Sequence, residues 1–265
     1  MKTLKKYFRI WWKLAGNNFG TLVATRLSFF SYLSGKIIRF VFFWIFLIAL
    51  VEKSEVLAGY SPREVLLFYL VFNVIDIFTQ TLLRGTYAIG HQLVKEGKFD
   101  FILAQPVNPL FRSVSNIIDL IDFATLLPLF PLLGLVTLKL PITPNFSQFV
   151  IFLLLTISGL TIAFAFHFLA AGIAVLTFES HHVMFLYRNL LNMVRFPIDI
   201  YPQALQFVMT VFVPVGVMVA FPAKALLGLL SWQWVVYSFA VAAVFLFGSL
   251  KFWNFSLRHY QSASS

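Results

Sequence analysis

Charged side chains interrupt stretches of sequence that are otherwise apolar. Lys36 and Arg39 lie in one such run, Asp76 in the next, and Asp119 and Asp122 in a third. An ionised side chain at the centre of a bilayer costs about 2.5 to 3.5 kcal/mol on insertion scales unless it is paired or hydrated. The chemistry open to these residues is therefore charge pairing, or polar transport, inside a membrane.

The five charged residues can meet at one depth, because the first and third runs would cross in one direction and the second in the other. We favour charge compensation between helices over a polar translocation surface, which remains the alternative. Asn73, Asp76, Gln80 and Arg84 recur at helical spacing, and this stripe would face a partner subunit or a pathway. His167 stands among phenylalanines and small residues, which favours a helix-packing hydrogen bond over a ligand role.

Motifs for catalysis, cofactor binding or metal binding are not found in the sequence. The chain has no cysteine and no phosphate-binding P-loop, and the "SGKI" at Ser34 lacks both the upstream glycine and the hydroxyl of that motif. The adjacent histidines of "ESHH" at 179–182 would point about 100° apart on a helix, a poor arrangement for one metal ion. A secondary transporter would need an internal repeat, and none is clear.

A membrane-embedded enzyme acting on a lipid or lipid-linked substrate remains the rival interpretation. Its polar groups would be drawn from His167, Asp119, Asp122 and Glu179. These residues are scattered in depth, and they lack a nucleophile and base at a recognisable spacing. The sequence therefore favours a chain that is not an enzyme.

The composition is that of an integral membrane protein. Of 265 residues, 60% are hydrophobic and 11% are charged, whereas charged residues make up roughly a quarter of a soluble domain. We predict one all-α membrane domain over 1–265. The net charge of +10 is spread over segments that flank apolar runs, which indicates contact with membrane lipids and not with nucleic acid.

Six apolar segments approach the roughly 20 residues that cross about 30 Å of hydrocarbon. They are predicted at about 27–51, 65–86, 114–138, 149–178, 204–221 and 232–250. The fourth is long enough to imply tilt or a bend, near Gly159 or Gly172. The "FPAKALLG" at 221–228 is too short to cross and is predicted to form a small re-entrant turn.

Two amphipathic segments are predicted to lie flat at the headgroups. In 1–20, apolar and basic residues separate onto different sides of a helix, which is typical of an interfacial elbow helix. In 181–202 one helical face is polar and the other apolar, before Pro197 and Pro202 break the pattern. The polar face comprises Arg188, Asn189, Asn192 and Arg195.

Basic residues set the expected orientation. With six spans, fourteen of the twenty Lys and Arg residues fall on one side and four on the other, while Lys36 and Arg39 lie within the first span. The side richer in basic residues is normally cytoplasmic. We therefore expect both termini and the 91–112 loop in the cytoplasm, with the chain in the cell (cytoplasmic or inner) membrane.

The 91–112 loop contains the unusual stretch "GKFDFILAQPVNPLFR". Phe99, Phe101 and Ile102 would form an apolar knob, and Pro106 and Pro109 would stiffen the return to the third span. The aromatic side chains could instead rest on the headgroups. In either case the stretch is a polar, proline-containing element between two apolar runs.

The whole layout resembles the permeases of type-2 ATP-binding-cassette (ABC) transporters. The resemblance rests on the basic N-terminal elbow, the six spans, "EGKFDFILAQPVNP" after the second span, "RFPIDIYP" before the fifth, and the tail "FWNFSLRHYQSASS". The branch of exporter permeases similar to viologen and multidrug efflux subunits is the nearest. Gln105 departs from the family pattern, in which many relatives carry a basic residue.

The resemblance implies a membrane transport subunit with specific partners. These are two copies of an ABC ATPase, which would hold ATP and Mg²⁺, and a second permease subunit in a homo- or heterodimer; no cofactor is expected in this chain. The substrate would be a hydrophobic or cationic drug-like compound, a lipid or a glycan. The residues expected to couple the permease to the ATPase are Gly97, Lys98, Phe99, Asp100, Phe101, Ile102, Pro106 and Pro109.

Overall fold

The computed structural model describes residues 2–53, 56–141 and 143–262, so the outermost residues of the predicted domain lie outside it. The described chain is helical apart from its connecting turns. The α-helices in chain order are α1 (Lys2–Ala24), α2 (Arg26–Lys53), α3 (Pro62–Leu83), α4 (Phe99–Leu103), α5 (Pro109–Val114), α6 (Leu120–Ala124), α7 (Leu126–Leu138), α8 (Phe146–Thr177), α9 (His181–Met193), α10 (Gln203–Phe207), α11 (Val215–Leu226) and α12 (Trp232–Arg258). Short 3-10 and π-helical segments extend several of them, namely Arg84–Ala88, Ile89–Lys95, Ile198–Ile200 and Val208–Phe212.

Local sequence signals start two of the long helices. At α3, the Ser61 backbone N–H donates to Glu64 Oε2 at 2.7 Å, and Pro62 occupies the first turn, where a missing N–H costs nothing. At α8, Asn145 and Gln148 form the same reciprocal box, with Gln148 N–H donating to Asn145 Oδ1 at 2.8 Å. Both helices therefore begin close to where the apolar runs were predicted to begin.

Within the residues that the structure describes, five helices are long and apolar enough to cross a membrane, and they confirm five of the six predicted spans. They are Phe29–Phe46, Pro62–Lys95, Leu120–Leu138, Phe146–Thr177 and Trp232–Arg258. The segment for which tilt or a bend was predicted is one α-helix, 32 residues long, and it continues without a break through Gly159 and Gly172. A Cβ at Gly159 would overlap the backbone oxygen of Met218, and one at Gly172 would lie 2.8 Å from the Phe252 ring. These glycines serve close helix packing.

Contacts between loops define two faces of the helix bundle. On the terminal face, Lys6 Nζ donates to Pro106 O at 2.7 Å, and the ring of Phe99 packs edge-on against Trp253. On the opposite face, here called the distal face, Arg63 Nη1 donates to Lys139 O at 3.2 Å. The terminal face thus carries the N-terminal helix, the α4 region and the end of α12, while the distal face carries the loops before α3 and after α7.

The fifth span predicted at 204–221 is wrong. Helical segments Gln203–Phe212 and Val215–Leu226 are bent by 101° at their junction. Asp199 Oδ1 lies 2.9 Å from Lys224 Nζ, and Asp199 Oδ2 accepts from Tyr60 OH at 3.0 Å. Because Tyr60 lies on the distal face, the segment begins and ends on that face. It is a re-entrant structure, larger than the turn predicted at 221–228.

The remaining crossing is made by α9 and its extension to Ile200, which were predicted to be an interfacial helix. Three contacts with the second span, α3, and with the residues that flank it establish the path: His181 packs against Tyr87, Arg188 pairs with Asp76, and Asp199 bonds Tyr60. The contacts move steadily from the terminal to the distal end of α3. α9 itself is 13 residues long, which is about 20 Å at 1.5 Å per residue, and the turn and 3-10 segment after it continue the path to the contact between Asp199 and Tyr60.

The core lies where α3, α8 and α11 meet. Leu67, Phe68, Ile75, Leu155 and Met218 are fully or almost fully buried there. By contrast, the membrane-length part of α2 has no buried residue in the described chain. The bundle therefore has a dense centre and one peripheral span, α2, which contacts it through the aromatic rings of Phe43 and Phe46 as well as through polar groups.

Because the sequence contains no cysteine, single cysteines can test the re-entrant topology. Gln203→Cys and Ser231→Cys should both react with a membrane-impermeant maleimide on the same side of intact cells, since both residues are exposed on the distal face. Lys95→Cys should react only from the other side. Labelling of Gln203→Cys and Lys95→Cys from the same side would contradict the re-entrant structure and support the span predicted at 204–221.

Candidate functional site

Five polar side chains from three separate parts of the chain form an ionic cluster. Lys36 Nζ contacts Asp122 Oδ1 directly and lies 3.4 Å from Asp119 Oδ2. Arg84 Nη1 contacts Asp119 and donates to Tyr32 OH at 3.0 Å, while Tyr32 OH donates to Asp119. Each carboxylate is thus neutralised by a cation from another helix, as favoured from the sequence, and each aspartate is only 7% exposed.

The local structure of α6 explains why two aspartates occur three residues apart. Asp119 is the N-cap of α6, and its Oδ1 accepts from the backbone N–H groups of Ile121 at 3.1 Å and Asp122 at 3.0 Å. Its other oxygen, Oδ2, remains for Tyr32 and Arg84. One carboxylate therefore satisfies the free N–H groups of a helix start and also binds a cation.

A second ion pair joins α3 to α9. Arg188 Nη1 lies 3.0 Å from Asp76 Oδ1, and Asp76 is 3% exposed. The sequence identified Asp76 as a residue in need of a partner but placed Arg188 at the headgroups. The polar face of 181–202 that suggested an interface is, in the fold, the face that α9 turns towards the carboxylate of α3.

A polar cavity of about 440 Å³ connects the two ion-paired groups. It lies among α2, α3, α9 and the segment that leads into α6. The charged and amide side chains that line it are Lys36, Arg39, Asp76, Gln80, Arg84, Asp122 and Arg188. Five of these were predicted as pathway candidates, and the structure brings them to one volume together with Arg84 and Arg188.

Two predicted residues contribute to packing beside this cavity. His167 is fully buried, with Nδ1 3.1 Å from Thr86 Oγ1 and its ring edge-on to Tyr187. Asn73 donates from Nδ2 to the Tyr69 carbonyl one turn earlier in α3, at 2.7 Å. The geometry of His167 is that of a hydrogen bond between helices, whereas Asn73 lines a smaller cavity that also includes Lys36 and Arg39.

The apolar residues of α4 do not form one exposed knob. Phe99 is fully buried between Trp253 and Tyr260, with ring centroids 6.3 and 5.0 Å away, and Ile102 is 4% exposed. Phe101 is 73% exposed. A contact surface made of all three residues is therefore ruled out in the free chain: Phe99 and Ile102 attach α4 to the bundle, and Phe101 points away from it.

Polar bonds fix α4 to both ends of the chain. Asp100 accepts from Tyr260 OH at 2.9 Å and from Ser262 Oγ at 2.6 Å. Burial and the bond to Asp100 raise the pKa of Tyr260, so the phenol remains a donor at neutral pH. On the other side, the Asn108 N–H donates to Tyr7 OH of α1 at 3.1 Å, beside the Lys6 contact with Pro106.

The remaining predicted coupling residues shape the turns around α4. Gly97 has φ +72°, a conformation that glycine adopts without strain. Lys98 pairs with Glu96 at 2.6 Å on the exposed surface and lowers the pKa of that carboxylate. Pro109 opens α5 behind an Asn108 cap, and Gln105 accepts from Arg112 Nε at 3.2 Å.

Comparison with protein-family models gives the decisive observation. The model described as "ABC-2 family transporter protein" matches residues 37–264. The chain belongs to this family. The match includes α4, the tail that holds α4, and the lining of the polar cavity apart from Tyr32 and Lys36. Membership makes the ABC-2 protein a component of membrane transport. Searches of curated proteins and of solved structures each found no match.

The ionic cluster of the ABC-2 protein should behave as a coupled unit. Lys36→Met leaves Asp122 without its nearest cation and should destabilise the fold by about 3 kcal/mol, the usual cost of breaking a buried pair. The Lys36→Met, Asp122→Asn double variant should lose clearly less than the sum of the single changes. Thermal unfolding in detergent measures all three, with exposed Lys95→Met as the neutral control. Strictly additive losses would contradict the pairing.

The attachment of α4 gives a second prediction. Phe99→Ala should release α4, because truncating a buried phenylalanine costs about 3 to 5 kcal/mol, and hydrogen exchange across 97–105 should accelerate. Phe101→Ala on the same helix should leave that exchange rate unchanged, since its ring has few contacts to lose. Equal protection in the two variants would show that Phe99 does not hold α4.

Proposed function

We propose that this ABC-2 protein is the membrane-spanning permease subunit of an ATP-driven exporter, driven by a separate ATPase subunit. Family membership supports the transport role. The observation that carries the coupling proposal is the position of α4, which is fixed to α1 and to the C-terminal tail while one aromatic side chain, Phe101, projects outward. An element held at both ends can pass on a partner's motion as a rigid body.

The terminal face is proposed to lie in the cytoplasm. Placing Arg84, Arg188 and Arg195 inside the bilayer reduces the fourteen basic residues of that side to eleven, against four on the distal side. The bias keeps its direction, and basic residues accumulate on the cytoplasmic side of membrane proteins. The proposed location is the cell (cytoplasmic or inner) membrane, with the exposed apolar residues Leu4, Phe8 and Trp12 of α1 facing lipid.

The energy source would be two copies of an ABC ATPase at the terminal face, with ATP and Mg²⁺ bound there. This chain has no P-loop of its own. Phe101 borders a cleft of about 280 Å³ that Lys98, Gln105 and Arg112 also line. We expect the Phe101 ring to fill an apolar recess on the ATPase, because a buried aromatic anchor commonly dominates an interface.

The transport route would pass through the polar cavity between α2, α3 and α9. A second permease subunit, identical or related, would complete it, and α2 with its exposed apolar face is available to a partner or to lipid. The general substrate class expected from the resemblance is a hydrophobic or cationic drug-like compound, a lipid or a glycan. For the route to open alternately to the two sides of the membrane, the re-entrant segment 203–226 would act as a lid on the distal side.

The coupling proposal is tested on the protein purified together with its ATPase. Phe101→Ala should reduce permease-dependent stimulation of ATP hydrolysis by about tenfold or more, because an aromatic anchor is worth upwards of about 1.4 kcal/mol. Phe146→Ala is the matched control, since Phe146 is 83% exposed but lies at the start of α8 on the distal face.

The result is informative only if α4 stays in place. The hydrogen-exchange comparison described above supplies that check, because Phe101→Ala should keep the exchange rate of the unmodified protein. Unchanged ATPase stimulation in a Phe101→Ala protein with an intact α4 would exclude Phe101 as the coupling contact. Purification of the chain without any ATPase, from the membrane in which it is naturally expressed, would count against the wider proposal.

A further inference from the structure

Arg39 is an intramembrane cation that the chain leaves without a carboxylate. Within the part of the chain that the structure describes, it forms no ion pair or hydrogen bond, whereas Lys36, Arg84 and Arg188 all do. Asp122 attracts it only from beyond ion-pair distance and already holds Lys36. The guanidinium of Arg39 is exposed on the surface of α2.

The depth of Arg39 makes this exposure costly. The residue lies midway between Arg26 and Lys53, the two ends of α2. It also lines the same small cavity as Asn73, which lies midway along α3. Helices rise about 1.5 Å per residue, so Arg39 is about 20 Å from either end of α2. A side chain at that depth needs a counter-charge or water to be tolerated.

The other charges around the cavity balance among themselves. Lys36 and Arg84 neutralise Asp119 and Asp122, and Arg188 neutralises Asp76. Arg39 is therefore the one cation in excess among the described groups that line this volume. The cavity has a net charge of about +1 and would attract an anion while repelling a cation.

A second copy of the chain has no suitable carboxylate to offer. The three aspartates at membrane depth are already paired within their own subunit. By position in the sequence, every other acidic residue lies at the end of a span or in a loop. They are Glu52, Glu55, Glu64, Glu96, Asp100, Glu179 and Asp199, of which Glu55 lies outside the described residues. The missing negative charge must therefore come from a ligand or from a different chain.

The surroundings of Arg39 indicate what such a ligand looks like. The small cavity beside it is formed mostly by apolar side chains, among them Phe40, Phe43 and Leu129. On the outward surface of α2, Ile38 and Phe42 are exposed where lipid chains would lie. An anion arriving here must bring an apolar body, because a small hydrated ion would have to shed water in a largely apolar setting.

From these observations we propose that Arg39 binds the anionic group of an amphiphilic substrate whose apolar part stays along α2. The group is a phosphate or carboxylate, for which the guanidinium offers a paired set of donors. The proposal rests on the proposed transport function and narrows its substrate class. A cationic compound is disfavoured, because it would add a charge of the same sign.

Binding to the purified full-length protein in uncharged detergent tests this directly. The probe is dioctanoyl phosphatidate, and the comparison ligands are dioctanoyl phosphatidylcholine and dodecyltrimethylammonium. We expect phosphatidate to bind at least tenfold more tightly than either. Arg39→Gln should weaken phosphatidate binding by about tenfold, and Arg39→Lys, which keeps the charge, should recover most of it. Arg26→Gln is the matched control, since it removes an exposed arginine from the end of the same helix.

Three results would overturn the proposal. Equal affinity for phosphatidate and phosphatidylcholine would remove the role of the anion, and equal losses in Arg39→Gln and Arg26→Gln would reduce the effect to general surface charge. A third result would assign Arg39 to a contact with a different subunit: the Arg39→Gln protein still binds phosphatidate, but its two-permease complex dissociates in size-exclusion chromatography.

Inorganic phosphate distinguishes the two sources of the anionic group. If an excess of phosphate of about tenfold does not displace phosphatidate, the ligand is an amphiphile; displacement by phosphate alone would overturn the need for an apolar body.

Failure of the proposed site can be distinguished from failure of the proposed transport function. If phosphatidate binding depends on Arg39 but phosphatidate never stimulates the partner ATPase, the binding site stands and the exporter role is refuted. If phosphatidate stimulates the ATPase equally in the unmodified protein and in Arg39→Gln, the exporter role stands and the binding site is refuted.

Discussion

The inability of hydrocarbon to solvate charge is the constraint on which this structure depends. Lys36, Asp119 and Asp122 would each be costly alone in a bilayer, and together with Arg84 they neutralise one another. The same contacts help attach α2, whose membrane-length part has no buried residue in the described chain, to the bundle, alongside ring contacts such as that of Phe43 with Tyr69. Charge pairing thus adds to the aromatic contacts that hold α2, whereas α3, α8 and α11 are held together by apolar burial.

The constraint also explains the unusual fifth crossing. A span with Arg188 and Arg195 is too polar to face lipid, and it becomes tolerable because Asp76 accepts one guanidinium while the other lies 5.4 Å from the Phe72 ring and bonds Asn192. Because α9 makes the fifth crossing, the apolar segment 203–226 that follows it does not need to cross, and it enters the membrane from the distal face and returns to that face. Asp199, just before the re-entrant segment, binds Lys224 near its end and also binds Tyr60, so both ends of the segment lie at the distal face.

Outside the membrane, the terminal face is organised around α4. Its inner side is apolar and buried against the end of α12. Asp100 within it is bonded to the C-terminal tail, and the turn that follows it is bonded to α1. Both ends of the chain therefore converge on one short helix. A displacement of α4 would reach α12 through Phe99 and α1 through Pro106, which links the proposed ATPase contact to both of these helices.

The sequence by itself determined the membrane class, five of the six crossings and the need of Asp76, Asp119 and Asp122 for cations, because hydrophobic length and the cost of isolated charge are properties of short segments. It could not choose the fifth crossing. An amphipathic helix has the same pattern whether its polar face meets headgroups or a polar interior, and an apolar segment has the same composition whether it crosses or turns back. Which side of α4 is buried was equally undetermined, since Phe99, Phe101 and Ile102 are alike in chemistry. Only tertiary packing decided these points, because it alone specifies which surface each side chain meets.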